Sequence, residues 1–304
     1  MLPFPDFDYA APRQLSEAIT WMCTPGARLV AGGTDLLPSL KHRLLAPSLL
    51  VSLNRITELR EVSTLSDGSL ALGAGLSLRD VSRLPVIQRD YPGLAAACRT
   101  VATPTIQGMA TLGGNVMLDT RCLYYNQPQG WREALGGCLK CEGTVCHVAP
   151  KGKGCYAAHS ADTVPSLWLL GAAVELVGPA GVRLVPLPAL YEDNGLAWHQ
   201  VRPEEILSRV ILPPPVSPTV HRKLRTRAAI DYGLLLVAVS RQTEGYRAVI
   251  SALGPKPIEV WGEDPASLAE EAFRKALPLS THLPPAVWRK KMVRVEVRRA
   301  AEAL

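Results

Sequence analysis

No run of apolar residues in the 304-residue chain approaches the ~18–20 that a membrane-spanning helix needs. The opening MLPFPDFDYA puts proline and aspartate where a secretion signal carries basic and then apolar residues, so a cytoplasmic location is expected. Several catalytic signatures are missing too. There is no Walker A motif and no HExxH, and Gly73-x-Gly75 lacks the third glycine and the helix of a Rossmann fingerprint. No Ser/His/Asp or paired-carboxylate grouping stands out, and no solenoid-type repeat is present.

What is present has globular composition: 47% hydrophobic and 20% charged residues exclude a disordered chain. The length suggests two or three domains. The 26 prolines predict many extended segments and loops. The net charge of +6 owes much to Arg289, Lys290, Lys291, Arg294, Arg298 and Arg299 on one helix-like segment. Without an aromatic platform beside it, that segment reads as a solvated helix face or a partner-docking surface, not a nucleic-acid site.

Residues 13 to 22 place Leu15, Ala18, Ile19 and Met22 at helical spacing. A short strand, a Gly-Gly turn, a second helix and a strand at 49 to 53 follow, predicting a small α/β lobe over residues 1–55. From Ile56 two strands flank Asp67-Gly68, a strong hairpin signal. A helix over 86 to 98, the segment TLGGN, a cysteine-bearing loop, a helix in ADTVPSLWLLGA, a hairpin and the strand EEILSRVILP complete a second lobe over 56–215. LPPPVSPTV is a stiff connector, after which residues 216–304 read as an α+β domain with helices near 265 to 276 and 285 to 303.

Five of seven cysteines crowd into one loop: Cys122, Cys138, Cys141, Cys146 and Cys155, spaced C-x15-C-x2-C-x4-C-x8-C. A reducing compartment disfavours disulfides and favours metal ligation. A [4Fe–4S] cluster needs four thiolates, one per iron; a structural zinc usually shows two paired knuckles, and only one CxxC exists here. His147 and His159 lie near enough in sequence to serve zinc, so spacing leaves both metals open. A loop from Asp119 to about Ala158 without apolar periodicity needs an internal staple, which a metal centre provides. Cys23 and Cys98 read as buried core residues.

The turns AGGTD (31 to 35) and TLGGN (111 to 115) each let backbone N–H groups face an anion such as a pyrophosphate, with Thr34, Asp35 and Asn115 available to bond ribose or phosphate. Asp162 stands at a helix start, and Lys223, Arg225 and Arg227 alternate along a strand-like stretch as a solvated edge or a flavin-edge site.

At AGGTDLLPSLK, TLGGN, SADTVPSLWLLGAAVEL and RKLRTRAAIDYGLLLVAV the chain resembles the FAD-binding subunits of the xanthine oxidase family of molybdenum hydroxylases, over essentially its whole length. With a cysteine loop between Asn115 and Ser160, and with LDTRCLYYNQ and GTVCHV, it is similar to the beta subunits of the 4-hydroxybenzoyl-CoA reductase branch. The resemblance implies an α+β fold: a two-lobed FAD-binding domain of the vanillyl-alcohol-oxidase/MurB-like kind, an inserted iron–sulfur loop at about 120–158 and a C-terminal α+β domain. It implies FAD pyrophosphate binding by Leu29, Val30, Ala31, Gly32, Gly33, Thr34, Asp35 and Leu36 and by Thr111, Leu112, Gly113, Gly114 and Asn115, with Ala102, Asp119, Asp162, Leu207 and Lys223 lining the remaining nucleotide. Cys122, Cys138, Cys146 and Cys155 would ligate the [4Fe–4S] cluster, leaving Cys141 as an extra thiol.

The activity so implied is electron transfer without a catalytic residue on this chain. Reduced ferredoxin would supply electrons that reach a small [2Fe–2S] subunit and a large molybdopterin subunit, in a dimer of heterotrimers that dehydroxylates 4-hydroxybenzoyl-CoA to benzoyl-CoA. Two alternatives stand beside this: a hydroxylase FAD subunit sending electrons outward to NAD or a quinone with a structural metal in the loop, and a metal-stapled scaffold.

Overall fold

The computed structural model describes residues 2–227, 230–280 and 284–304. Ala228 and Ala229, within the RKLRTRAAIDYGLLLVAV stretch, lie outside them. The first sheet is wholly parallel, with β1 (Asp8–Ala10) and β2 (Ala27–Val30) flanking β3 (Leu49–Ser52). Parallel neighbours need crossovers, which α1 (Leu15–Met22) and α2 (Leu36–Lys41) provide. Ala18 and Met22, one helical turn apart, join Val51, Ile56 and Leu59 in a small core.

The second sheet is antiparallel, ordered β4-β5-β8-β6-β7: β4 (Val62–Thr64), β5 (Leu70–Gly73), β6 (Ala173–Gly178), β7 (Gly181–Pro186) and β8 (Ile206–Leu212). The chain between β5 and β6 forms α3 (Leu78–Arg83), α4 (Pro85–Asp90), α5 (Pro92–Thr100), α6 (Pro104–Met109), α7 (Leu112–Val116), α8 (Gln129–Ala134) and α9 (Val164–Leu169); α10 (Leu187–Leu190) follows β7. The expected helix over 86 to 98 is divided at Tyr91, because Pro92 lacks an N–H and drives its predecessor out of helical backbone. Tyr91 is buried, and its hydroxyl donates to the Pro213 carbonyl at 2.8 Å.

The last sheet, β12-β11-β10-β9, is antiparallel: β9 (Thr219–Leu224), β10 (Leu235–Arg241), β11 (Tyr246–Ser251) and β12 (Ile258–Gly262). Period-two alternation explains the uniformly apolar GLLLVAVS. Leu235, Val237 and Val239 enter the core beneath α11 (Pro265–Lys275) and α12 (Ala286–Ala301), whereas Ala238 and Val249 enter the core of the second lobe. α11 starts with a capping box on Asp264 and Ser267.

Two expectations need correction. Cys23 is exposed, since it caps the end of α1 beyond the buried face; only Cys98 is in the core, where burial pushes its thiol up to about 12. Arg289 is not on a solvated face: it is 9% exposed and donates to the Leu234 and Ala252 carbonyls at 2.8 and 2.7 Å. The other tail arginines pair with Glu270, Glu302 and Glu296.

Candidate functional site

The turn AGGTD joins β2 to α2. Gly33 has φ +68, a conformation that costs a side-chain-bearing residue about 1 kcal/mol or more. Gly32 is glycine for another reason. A Cβ there would lie 1.8 Å from the Met109 carbonyl oxygen, so this turn sits directly on the chain entering the second glycine segment. No hydrogen bond among the described residues takes the N–H groups of Gly32, Gly33, Thr34 or Asp35, leaving them free for an anion.

The second segment is built differently. Thr111 caps α7, its hydroxyl accepting from the Gly114 N–H at 3.1 Å. The Leu112 and Gly113 N–H groups are taken by the Leu76 and Ala74 carbonyls, and that of Asn115 by Thr111. Its backbone is therefore already satisfied, and its free polar group is a side chain. The Asn115 carboxamide oxygen accepts from the Thr163 N–H at 3.1 Å and hydroxyl at 2.6 Å, turning the amide nitrogen to the other side.

Next to Thr163, Asp162 forms an ion pair with Lys223 at 2.6 Å, with side-chain exposures of 9% and 3%. Burial pushes the Asp162 carboxyl up, and the Lys223 ammonium partly counters it. Lys223 also donates to the Thr100 carbonyl at 3.1 Å. Two residues on, Ala102 holds φ +38, a strained backbone for a non-glycine residue. Gln107 fastens that loop by donating to the Arg99 and Val101 carbonyls. Two residues before Asp162 and Lys223 respectively, Ser160 Oγ and His221 Nε2 are buried with no hydrogen-bond partner among the described residues. Of the lysine and arginines expected to alternate on one face, only Lys223 lies in β9; Arg227 is exposed beyond the strand and bonds Asp231. Leu207 is 6% exposed within the second-lobe core, opposite the register shift at Glu175/Leu176.

The cysteine loop leaves this frame at a two-stranded neck: Arg121 and Ala158 exchange both backbone hydrogen bonds at 2.7 Å. Cys122, Cys138, Cys146 and Cys155 line one shallow recess together with Tyr124, Tyr125 and Lys140. Burial pushes the Cys122 and Cys155 thiols up. Cys141 does not line it. Its sulfur instead accepts from Arg132 Nε at 3.2 Å, at the far end of the small hairpin turn that begins at Cys138. His147 reaches the recess, but its Nε2 lies 2.6 Å from the Gly137 carbonyl. His159 is elsewhere: fully buried against the Tyr191 ring, with its pKa lowered to about 3 by burial. Among the described residues no three His, Cys, Asp or Glu side chains close around a single-ion position.

Three cations that sequence reasoning missed bind the loop to the rest of the chain. Arg121 pairs with Asp35 of the first glycine turn. Lys140 pairs with Asp119 at 2.6 Å and donates to Thr120 Oγ1 at 2.7 Å. Arg132, 5% exposed, donates to the carbonyls of Gln127, His42 and Arg43 at 2.5, 2.9 and 2.8 Å. The latter two end α2, where Arg43 adopts φ 56. Gly195 was also missed: a Cβ there would lie 2.8 Å from Cys155 Sγ. Apart from the Arg132–Gln127 bond, these contacts join residues about twenty or more positions apart, so no local pattern announces them.

Two lobes with a glycine turn between them, closed by a third α+β unit, define a flavin-nucleotide-binding class of protein. Residues 5–215 match the family described as the FAD binding domain in molybdopterin dehydrogenase. The chain belongs to that family, the FAD-binding subunits of xanthine oxidase-type molybdenum enzymes. It is 32% identical to the aldehyde oxidoreductase FAD-binding subunit PaoB of Escherichia coli K12 over 266 residues, 84% of this chain and 83% of that one. It is 27% identical to the carbon monoxide dehydrogenase medium chain of Afipia carboxidovorans, covering 97% and 96%. Its fold is similar to that of a chain of quinoline 2-oxidoreductase from Pseudomonas putida 86, with TM-score 0.80, 23% identity and coverage of 99% and 98%.

Proposed function

We propose that this chain is the FAD- and [4Fe–4S]-carrying electron-transfer subunit of a molybdenum-dependent 4-hydroxybenzoyl-CoA reductase. One observation carries the reading beyond the family: four thiols of the loop line one recess, while the fifth, Cys141, does not line it and accepts from Arg132. A mononuclear zinc needs its donors about 2.3 Å from one point, and among the described residues no three candidate donors close on such a point. A four-iron cube takes one thiolate at each of its four irons, which matches the number of thiols lining the recess.

In this reading the N–H groups of Gly32 to Asp35 bind the FAD pyrophosphate, and Thr111 to Asn115 wall it from the second lobe. The Asp162–Lys223 pair, with Ala102 and the unpartnered Ser160 hydroxyl, holds the rest of the nucleotide, and Leu207 backs it from the core. The division at residues 55 and 215 belongs to the same reading. When bound, the cluster supplies one-electron transfer and the flavin one- or two-electron storage, which suits a relay from a ferredoxin to the [2Fe–2S] and molybdopterin centres of partner subunits.

The experiment is anaerobic co-purification with the companion subunits, followed by metal, sulfide and flavin analysis and turnover of 4-hydroxybenzoyl-CoA with reduced ferredoxin. Iron with acid-labile sulfide and benzoyl-CoA formation is the expected result. Zinc in the loop with electrons passing outward to NAD or a quinone would favour the second reading, which the names of the aldehyde oxidoreductase and carbon monoxide dehydrogenase relatives support. Zinc without flavin would mark a scaffold.

A further inference from the structure

We propose that Lys140 is a positioning and charge-compensating residue that sets the reduction potential of the thiolate centre and links it electrostatically to Asp119; this rests on the cluster reading above. The hairpin explains its placement. Cys138 and Cys141 exchange backbone hydrogen bonds at 2.9 and 2.8 Å, leaving Leu139 and Lys140 as the two turn residues beside the recess. Among the described residues Lys140 is the only lysine or arginine lining it. Its side chain is 9% exposed, rare for a lysine unless paired. Asp119 and Thr120 engage two of its three donors, and the ammonium lies 4.9 Å from the centre of the buried Tyr125 ring.

A cube of iron and sulfide held by four thiolates is net negative, and each added electron deepens that charge. Net charge, hydrogen bonds to sulfur and exposure set its potential. A fixed cation in a poorly solvated recess stabilises the reduced form more than the oxidised one, so Lys140 raises the potential. Asp119, ion-paired with the same ammonium at 2.6 Å, moderates this. It is also an expected flavin-lining residue, so the same pair spans both cofactor sites.

The test is a redox titration of the anaerobically purified complex, followed by the paramagnetic signal of the reduced cluster. Lys140→Gln should lower the midpoint so that, at the wild-type midpoint, the reduced-to-oxidised ratio falls about tenfold, or about 59 mV. Lys140→Arg should restore most of it, and Asp119→Asn, which leaves the cation unopposed, should move the midpoint upward. Unmoved midpoints in Lys140→Gln and Asp119→Asn, with iron retained, would overturn the inference and leave the cluster reading intact. Should Lys140→Gln lose its iron, Asp119→Asn decides: an upward shift supports the inference and an unchanged midpoint overturns it. Wild-type complex without iron would remove the cluster reading, and this inference with it.

Discussion

The sheet-bearing lobes and the cysteine loop are held together by opposite means. The lobes rest on two sheets and contiguous apolar cores, in which Leu72, Leu94, Leu112, Leu167 and Leu176 are wholly buried. The loop between Arg121 and Ala158 has one short helix, α8, and contributes no residue to any of the three cores. Its attachments are mainly polar: a two-residue neck, the Gly195 N–H donating to the Cys155 carbonyl, and the side chains of Arg121, Lys140 and Arg132. Burial stabilises broadly and tolerates single losses, whereas a few buried polar anchors fail one at a time.

The largest effect should come from breaking the lobes at their joint. Gly32→Val would drive side-chain atoms into the Met109 carbonyl, and the backbone cannot retreat without parting the two glycine segments. Flavin retained after purification should fall to near zero while the secondary structure seen by circular dichroism stays intact. Full flavin content would show that the close approach does not serve the nucleotide.

The matching break in the loop is Arg132→Met. It strands three carbonyls, at a cost of about 3 kcal/mol felt locally. Limited proteolysis should then cut between residues 121 and 158 at least tenfold faster, with the global unfolding midpoint of the lobes hardly moved. Equal cutting rates would mean that the loop holds itself without its anchor.

A smaller effect sharpens the comparison through pH. Burial lowers His159 and His221 to about 3 in the folded chain, against an unfolded value near 6.5. The unfolded state therefore binds more protons between these values, and stability falls as pH drops below about 6.5. Each histidine adds up to about 1.4 kcal/mol per pH unit. Denaturant unfolding from pH 7 to 5 should show this slope, and His221→Gln should flatten it by about half. An unchanged slope in the variant would place the titration in other groups.

Much of the lobes was legible from local pattern. The hairpin at Asp67-Gly68, the β6/β7 pair and the helix over 265–275 arise where alternation, turn residues and capping agree. TLGGN was legible as a glycine segment but not as a capped helix, because two glycines hide the helical tendency that Thr111 and the Ala74 and Leu76 carbonyls impose from outside. In the loop, cysteine spacing only suggests a metal and does not separate Cys138 from Cys141. What separates them is Arg132, whose partners His42 and Arg43 lie some ninety residues away in the chain.

The most direct test is therefore iron and acid-labile sulfide per flavin in Cys138→Ser and Cys141→Ser complexes prepared without oxygen. The account predicts that Cys141→Ser keeps the full wild-type complement, whereas Cys138→Ser loses the intact cluster and retains its flavin. Loss of iron in Cys141→Ser with retention in Cys138→Ser, or zinc in both, would contradict it.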